Sequence, residues 1–352
     1  MTVLHRQSLI AYAASLSATT SECPQPRGTE VLVRIACCGV CHSDLHLQDG
    51  YFGLGGEKKL DVRAGRTLPF TLGHEIAGTV AALGEAAQGV NAGDAVAVYP
   101  WIGCGQCKAC LRGEENICSA PRHLGVNMDG GFASHVLVPH PRYLLHTSGL
   151  APERAAILMC SGLTAYAALR RLEREAALSP LLLVGMGGVG MMGLALAMAM
   201  FKERPFVAEI DAAKREAALA AGAAAAFDPG EDGARGALLA KSGGGVYGAC
   251  DFAGSTQSLA FAISALTKGG KVVVTGLLGG TLSMPSAMLG LKAIAIEGTQ
   301  TGTLAQAREL LQLSRNPDFS FPPVRERPMA EAQAALDTLR AGKVVGRVVL
   351  SA

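Results

Sequence analysis

Residues 181–201 read Leu-Leu-Leu-Val-Gly-Met-Gly-Gly-Val-Gly-Met-Met-Gly-Leu-Ala-Leu-Ala-Met-Ala-Met-Phe, an unbroken run without a charge. A run of that length can cross a bilayer, and a mean hydropathy of +0.29 does not argue against it. The glycines decide otherwise. Four of the five fall in 185–190, so the run splits into a short Leu/Val strand, a tight turn and a helix over 189–200. The strand suits a buried parallel sheet, and a helix apolar on nearly all sides suits a deep core. Neither piece spans a membrane. The turn, Gly185-Met186-Gly187-Gly188-Val189-Gly190, fits G-x-G-x-x-G after a strand and before a helix. Glycine there lets the backbone approach a pyrophosphate, whose charge rests on free N–H groups at the helix start. Glu209 falls at the end of the next expected strand, where an acid would hold ribose hydroxyls. It would also repel a 2′-phosphate, so NAD is expected and NADP less so. Asp211 reinforces this, whereas Arg204 and Arg215 argue the other way. The plainer alternative is glycines serving only helix–strand packing, with a surface Glu.

Outward from this turn, strand-like stretches at 181–184, 206–210, 224–227, 247–252, 271–275 and 291–296 alternate with helical ones such as 212–221 and 255–267. Six strands with crossovers predict an α/β fold with a doubly wound nucleotide-binding sheet. Before residue 160 the texture differs. Val- and Ala-rich strands at 31–38, 76–83, 94–99 and 132–138, separated by glycine turns, predict a β-rich unit. Thirty-one Lys and Arg against 29 Asp and Glu leave a net charge of +2, with no clustered basic surface. Nucleic acid and anionic membranes are therefore not expected partners. Residues 1–18 faintly resemble a secretion signal, but Ser15 and Ser17 break a short apolar part. The ten cysteines are clustered rather than spread as a disulfide framework, which points to a reducing cytoplasm.

Cys104-x2-Cys107-x2-Cys110-x7-Cys118 places four thiols close together among glycines, able to wrap one tetrahedral zinc. Four protein ligands leave no open position, so this metal should be structural. Elsewhere, Cys41-His42-Ser43-Asp44-Leu45-His46 packs thiol, imidazole, hydroxyl and carboxylate into one turn, and His74-Glu75 and Cys160 follow later. Spacing alone does not assign these; Cys38-x2-Cys41 also fits a redox pair.

Together, Gly39-Val40-Cys41-His42-Ser43-Asp44, Gly73-His74-Glu75-Ile76-Ala77-Gly78, the four-cysteine lobe, Cys160-Ser161-Gly162-Leu163-Thr164, the 185–190 turn and Gly346-Arg347-Val348-Val349-Leu350 resemble the zinc-dependent medium-chain alcohol dehydrogenases. The resemblance covers essentially the whole chain, in order. It implies a GroES-like catalytic domain from residues 1–160 and 301–352, with the zinc lobe at about 101–120, and an inserted Rossmann NAD-binding domain at 161–300. It implies Cys41, His74 and Cys160 as ligands of a catalytic zinc, making two zincs per chain. Three ligands leave a fourth position for substrate oxygen. Ser43 and His46 would relay the alcohol proton, Asp44 would fix the His74 tautomer, and Glu75 would lie behind the metal. His42, Thr164 and Arg347 would join Gly185, Gly187, Gly188, Val189, Gly190 and Glu209 in holding the cofactor.

A thiol at the third ligand position favours the alcohol dehydrogenase branch over the polyol branch, where Glu is common. One departure stands out: the interval between His46 and His74 is longer than in compact members of the family. The extra segment, about 50–68, reads as a lid, a subunit contact or a surface loop; Tyr51 and Trp101 are candidate pocket walls. The expectation is a cytoplasmic, NAD-dependent zinc alcohol dehydrogenase acting reversibly on a primary or secondary alcohol, bulky or aromatic ones included, as a homotetramer or homodimer. The alternatives are a polyol or other specialised dehydrogenase, and a non-enzymatic zinc-thiol redox sensor or binding protein.

Overall fold

The computed structural model describes residues 3–352. The glycine turn separates Leu182–Val184 from a 13-residue helix, Gly188–Met200. A bilayer needs about 20 apolar residues in one helix, and among the described residues no helix is long and apolar enough to cross a membrane. Leu182, Leu183 and Val184 are buried, as the central strand of a parallel sheet covered on both faces must be. Its neighbours give a six-stranded parallel sheet in the order Ala225–Phe227, Phe206–Ala208, Leu182–Val184, Val246–Asp251, Leu266–Val274, Ala295–Gly298. Numbered along the chain, that order is 3-2-1-4-5-6, the doubly wound arrangement whose switch point lies at the first strand. The turn opens at that point.

Several expected elements shift; the strand expected at 271–275, for one, already begins at Leu266. The last strand begins at Ala295, because residues expected to open it close a short helix, Ala287–Lys292. Leu291 is 71% exposed there, so an apolar run imitated a buried strand. Likewise Phe132 and Ala133 precede the His135–Val138 strand.

The β-rich unit is a seven-stranded sheet built on Val31–Gly39 and Glu75–Leu83, which pair antiparallel. The C-terminal strand Arg347–Ser351 also pairs with Val31–Gly39, and Val324–Pro328 pairs beyond it. Early and late parts of the chain thus share one sheet. Residues 3–9, within the stretch that faintly resembles a secretion signal, form a strand paired with Ser17–Glu22. Within 50–68, Tyr51–Gly53 and Lys59–Asp61 form a hairpin. Its tip reaches the loop after Leu266–Val274: a Cβ on Gly55 would lie 2.6 Å from Thr281, and one on Gly279 would lie 2.7 Å from the Gly53 carbonyl oxygen. The segment therefore bridges the two sheets' units.

Candidate active site

The helix His42–Asp49 starts directly after Cys41, whose extended backbone makes it the N-cap. Asp44 Oδ2 accepts from the Cys41 N–H at 2.9 Å, and Asp44 Oδ1 accepts from the Gly73 N–H at 3.2 Å. One fully buried carboxylate thus ties the helix start to the approach of the next ligand-bearing strand. His74 immediately precedes Glu75–Leu83, and its Nδ1 faces Asp44 Oδ1 at 3.3 Å. Gly39 permits the close approach of the paired strand, since a Cβ there would collide with Glu75 Oε2. Cys160 arrives differently: a π-helical turn, Leu158–Gly162, interrupts the passage from Pro152–Ile157 to Leu163–Arg170. Such widened turns re-aim side chains at functional sites.

These elements bring Cys41, His74, Glu75 and Cys160 together, one potential ligand atom from each lying within 4.8 Å of the others. Cys41 Sγ and Cys160 Sγ are 3.9 Å apart, far from the ~2.05 Å of a disulfide. A tetrahedron with zinc–sulfur bonds of about 2.3 Å has sulfur–sulfur edges of about 3.8 Å, so the spacing fits one ion. His74 Nε2 is buried with no hydrogen-bond partner, the orphan a metal would satisfy. The Cys160 thiol, and His74 beside it, hold Cys41 well below the ordinary cysteine value, which provides a thiolate. Burial pushes Glu75 up to about 7 against the Arg347 guanidinium, whose Nη2 donates to Glu75 at 2.5 Å and to the Val40 carbonyl at 3.0 Å. Cys38, the other half of the supposed redox pair, is buried against Gly73 and Gly131.

The second cluster, Cys104, Cys107, Cys110 and Cys118, has the same fit. Its sulfurs are 3.5 Å (Cys107–Cys110), 3.7 Å (Cys107–Cys118) and 4.0 Å (Cys104–Cys110) apart. Backbone N–H groups aim at these sulfurs: the Cys104 N–H donates to Cys118 Sγ at 3.2 Å, and that of Cys110 leads in lowering Cys107 to about 6. The spacing did not reveal what seats the lobe. Buried Glu115 accepts from the Gly103 N–H at 3.1 Å and from Tyr143 Oη at 2.6 Å, and pairs with Arg142.

At the glycine turn, a Cβ on Gly190 would collide with the Gly185 carbonyl oxygen, so this glycine serves close helix–strand packing. A Cβ on Gly187 would meet nothing within 4 Å, and the helix N-terminus that Gly187 opens has no side-chain cap. Open space before free N–H groups fits a pyrophosphate. Glu209 lies beside it, Oε2 accepting from the Met186 N–H at 2.7 Å and Oε1 from the Asp211 N–H at 3.0 Å. Arg215, which argued for NADP, is tied to Asp228 at 2.7 Å and to two carbonyls. Arg347 links the two centres: it pairs with Glu75, and a Cβ on Gly188 would lie 2.6 Å from its Nη1. His42 is exposed, while Ser43, His46 and Thr164 are half-buried. Trp101 is buried, its ring 5.4 Å from that of His74, and it donates from Nε1 to the Met159 carbonyl at 2.9 Å. His46 stacks on Phe52 of the 50–68 hairpin, centroids 4.6 Å apart.

A doubly wound sheet with an open phosphate turn, a buried thiolate–imidazole centre and a closed four-thiol centre define a metal- and nucleotide-dependent oxidoreductase. Comparison with known proteins agrees. A family model described as "Alcohol dehydrogenase GroES-like domain" matches residues 27–148, and one described as "Zinc-binding dehydrogenase" matches residues 188–316. An NAD-dependent alcohol dehydrogenase of Sulfurisphaera tokodaii is 35% identical over 93% of this chain and 94% of that protein. Among solved structures, the alcohol dehydrogenase of Aeropyrum pernix superposes with a TM-score of 0.87 at 29% identity, over 99% of this chain and 100% of that one. The D-arabinose dehydrogenase of Sulfolobus solfataricus gives a TM-score of 0.86 at 25% identity over 100% of both chains. The chain belongs to the zinc-dependent medium-chain alcohol dehydrogenase family. It is an oxidoreductase acting on the CH–OH group of a small molecule, with zinc and NAD as cofactors, so the zinc-thiol sensor alternative falls.

Proposed function

We propose that the protein interconverts primary or secondary alcohols, bulky and aromatic ones included, with the corresponding aldehydes or ketones. The observation that carries this reading is the buried group of Cys41, His74 and Cys160, with His74 Nε2 unpaired. These three residues would hold the catalytic zinc, and Cys104, Cys107, Cys110 and Cys118 the structural one. When bound, zinc supplies Lewis acidity and NAD a hydride acceptor. Asp44 Oδ1, 3.3 Å from His74 Nδ1, would orient the ring once the metal is bound. Glu75 and Arg347 set the field behind that group. Ser43 takes the hydroxyl proton, and His46, on the same face of the same helix, passes it to solvent. Burial lowers the His46 pKa, so its imidazole is neutral and can accept at neutral pH. His42, Thr164, Arg347, Glu209 and the 185–190 turn hold NAD.

The two separate sheets support a division into a catalytic unit (1–160 and 301–352) and a nucleotide-binding unit (161–300). The exposed Leu277, Leu278, Leu282 and Leu291 beside the edge strand Ala295–Gly298 support a homo-oligomer, which sedimentation would measure. Six cysteines assigned to zinc, and clustered rather than spread as a disulfide framework, suit the reducing cytoplasm. Cys41→Ser tests the centre: metal analysis should fall from two zincs per chain to about one, with NADH production abolished and NAD binding retained. Retained turnover would sink the assignment.

A further inference from the structure

The chain leaves the parallel sheet at residues 299–303. On one side the Thr299 N–H still donates to the Val274 carbonyl at 3.1 Å, continuing the ladder of Ala295–Gly298. On the other, Thr303 caps the helix Leu304–Leu313. Between them stands Thr301, with φ at +46°. A β-branched residue in the left-handed region is strained, and persists only where its surroundings impose that conformation. Nothing local compensates: Thr301 Oγ1 is buried with no hydrogen-bond partner among the described residues. The constraint comes from the other unit. Asn116 Nδ2 donates to the Gln300 carbonyl at 2.7 Å, and buried Tyr99 donates from Oη to the Gly302 carbonyl at 2.9 Å. The carbonyls on either side of the strained residue are thus both held. Asn116 lies just before Cys118, in the short turn Glu115–Ile117 of the four-thiol lobe. The crossing also touches the catalytic group. A Cβ on Gly302 would lie 2.8 Å from Leu163, which directly follows the π-helical turn carrying Cys160.

We propose that the four-thiol lobe clamps this crossing: Asn116, with Tyr99, positions Thr301 and so holds the cofactor-bearing sheet against the catalytic group. The proposal rests on the reading of 161–300 as the nucleotide-binding unit. Holding the Gln300 carbonyl fixes the peptide plane that leads into Thr301, and holding the Gly302 carbonyl fixes the plane beyond Gly302. Freed from the clamp, Thr301 would fall back to negative φ, because the left-handed region is costly for every residue type but glycine. Only a fraction of molecules would then hold the two units as cofactor binding requires. Affinity falls by that fraction, while turnover of the loaded enzyme does not. Asn116 and Tyr99 are therefore positioning residues, and the lobe acts on cofactor binding without touching the cofactor.

Trp101 is the only tryptophan and lies outside the nucleotide-binding unit, so energy transfer from it to NADH reports cofactor held between the units. NADH dissociation constants are read in this way for wild type, Asn116→Ala, Tyr99→Phe and Thr301→Gly, and for each clamp variant combined with Thr301→Gly, with zinc content measured alongside. Asn116→Ala and Tyr99→Phe should each weaken NADH about threefold to tenfold, the worth of one hydrogen bond, with kcat within about twofold of wild type. Thr301→Gly alone should change little. Combined with either clamp variant it should return the affinity to within about twofold of wild type, since glycine takes positive φ unaided. Unchanged affinity in both clamp variants, or a loss that Thr301→Gly does not relieve, overturns the proposal. If Asn116→Ala loses the lobe zinc, Tyr99→Phe with and without Thr301→Gly decides it. Gly187→Asp tests the reading beneath: a carboxylate in that open space should abolish NADH binding, and binding that survives would overturn the nucleotide-unit reading instead.

Discussion

Glu209 does two things at one position. Its carboxylate accepts from the Met186 and Asp211 N–H groups, holding the glycine turn to the next strand, and its charge opposes a 2′-phosphate. Glu209→Gln removes the charge, and its amide oxygen keeps one of the two accepted hydrogen bonds. The ratio of kcat/KM for NAD over that for NADP should fall by about fivefold or more, since removing one close like charge is worth at least ~1 kcal/mol. An unchanged ratio would mean that the acid does not select the cofactor. Arg215 sharpens the expectation, because its pairing with Asp228 leaves it poorly placed to welcome a phosphate. The same reasoning shows what sequence conveys at this scale. Cys41, His74 and Cys160 were assignable only through their neighbours in the motifs; their mutual distance is a product of the fold. His123 stood in no motif, and its burial without a partner appears only once the loop has closed.

Elements were legible where one physical signal dominates. The 181–201 stretch yielded strand, turn and helix because glycine spacing punctuates an otherwise uniform apolar run. The π-helical turn at Leu158–Gly162 left no such mark, since a one-residue insertion in the helical ladder barely alters apolar periodicity. The hairpin at Tyr51–Gly53 and Lys59–Asp61 was also hidden, its strands being very short with no buried face to enforce alternation. The four-cysteine lobe lies at the opposite extreme: its spacing announces the metal, yet its only helical pieces are Lys108–Leu111 and Glu115–Ile117. Pieces so short cannot hold themselves in water. Cys107→Ala should therefore release one zinc and expose 101–120 to limited proteolysis, while the second zinc stays bound. Simultaneous loss of both metals, or an intact lobe with one zinc missing, would contradict separate, metal-dependent folding of this element.

At the scale of the whole molecule, strands from the chain's two ends close one sheet around a buried polar centre. Val349 and Leu350 are fully buried between Val31–Gly39 and Val324–Pro328, and Arg347 of the same strand reaches Glu75. Enclosing such a centre makes global stability depend on pH through groups that the fold keeps neutral. His123 is the clearest. Burial, then His74, depresses it to about 4, whereas an unfolded histidine titrates near ~6.5. Between those values the unfolded chain binds the proton and the folded one does not, so stability is greatest above about pH 6.5 and declines as pH falls towards 4. One such group accounts for roughly 3 kcal/mol across that window at about 1.36 kcal/mol per pH unit. Acid also loosens zinc ligation, so wild type alone cannot isolate the term. Denaturant unfolding at pH 7.5 and pH 5, compared between wild type and His123→Phe, cancels the shared metal contribution. The phenylalanine variant should lose less stability on acidification, by about 1–2 kcal/mol. Equal losses in the two proteins would show that the folded imidazole titrates near its ordinary value.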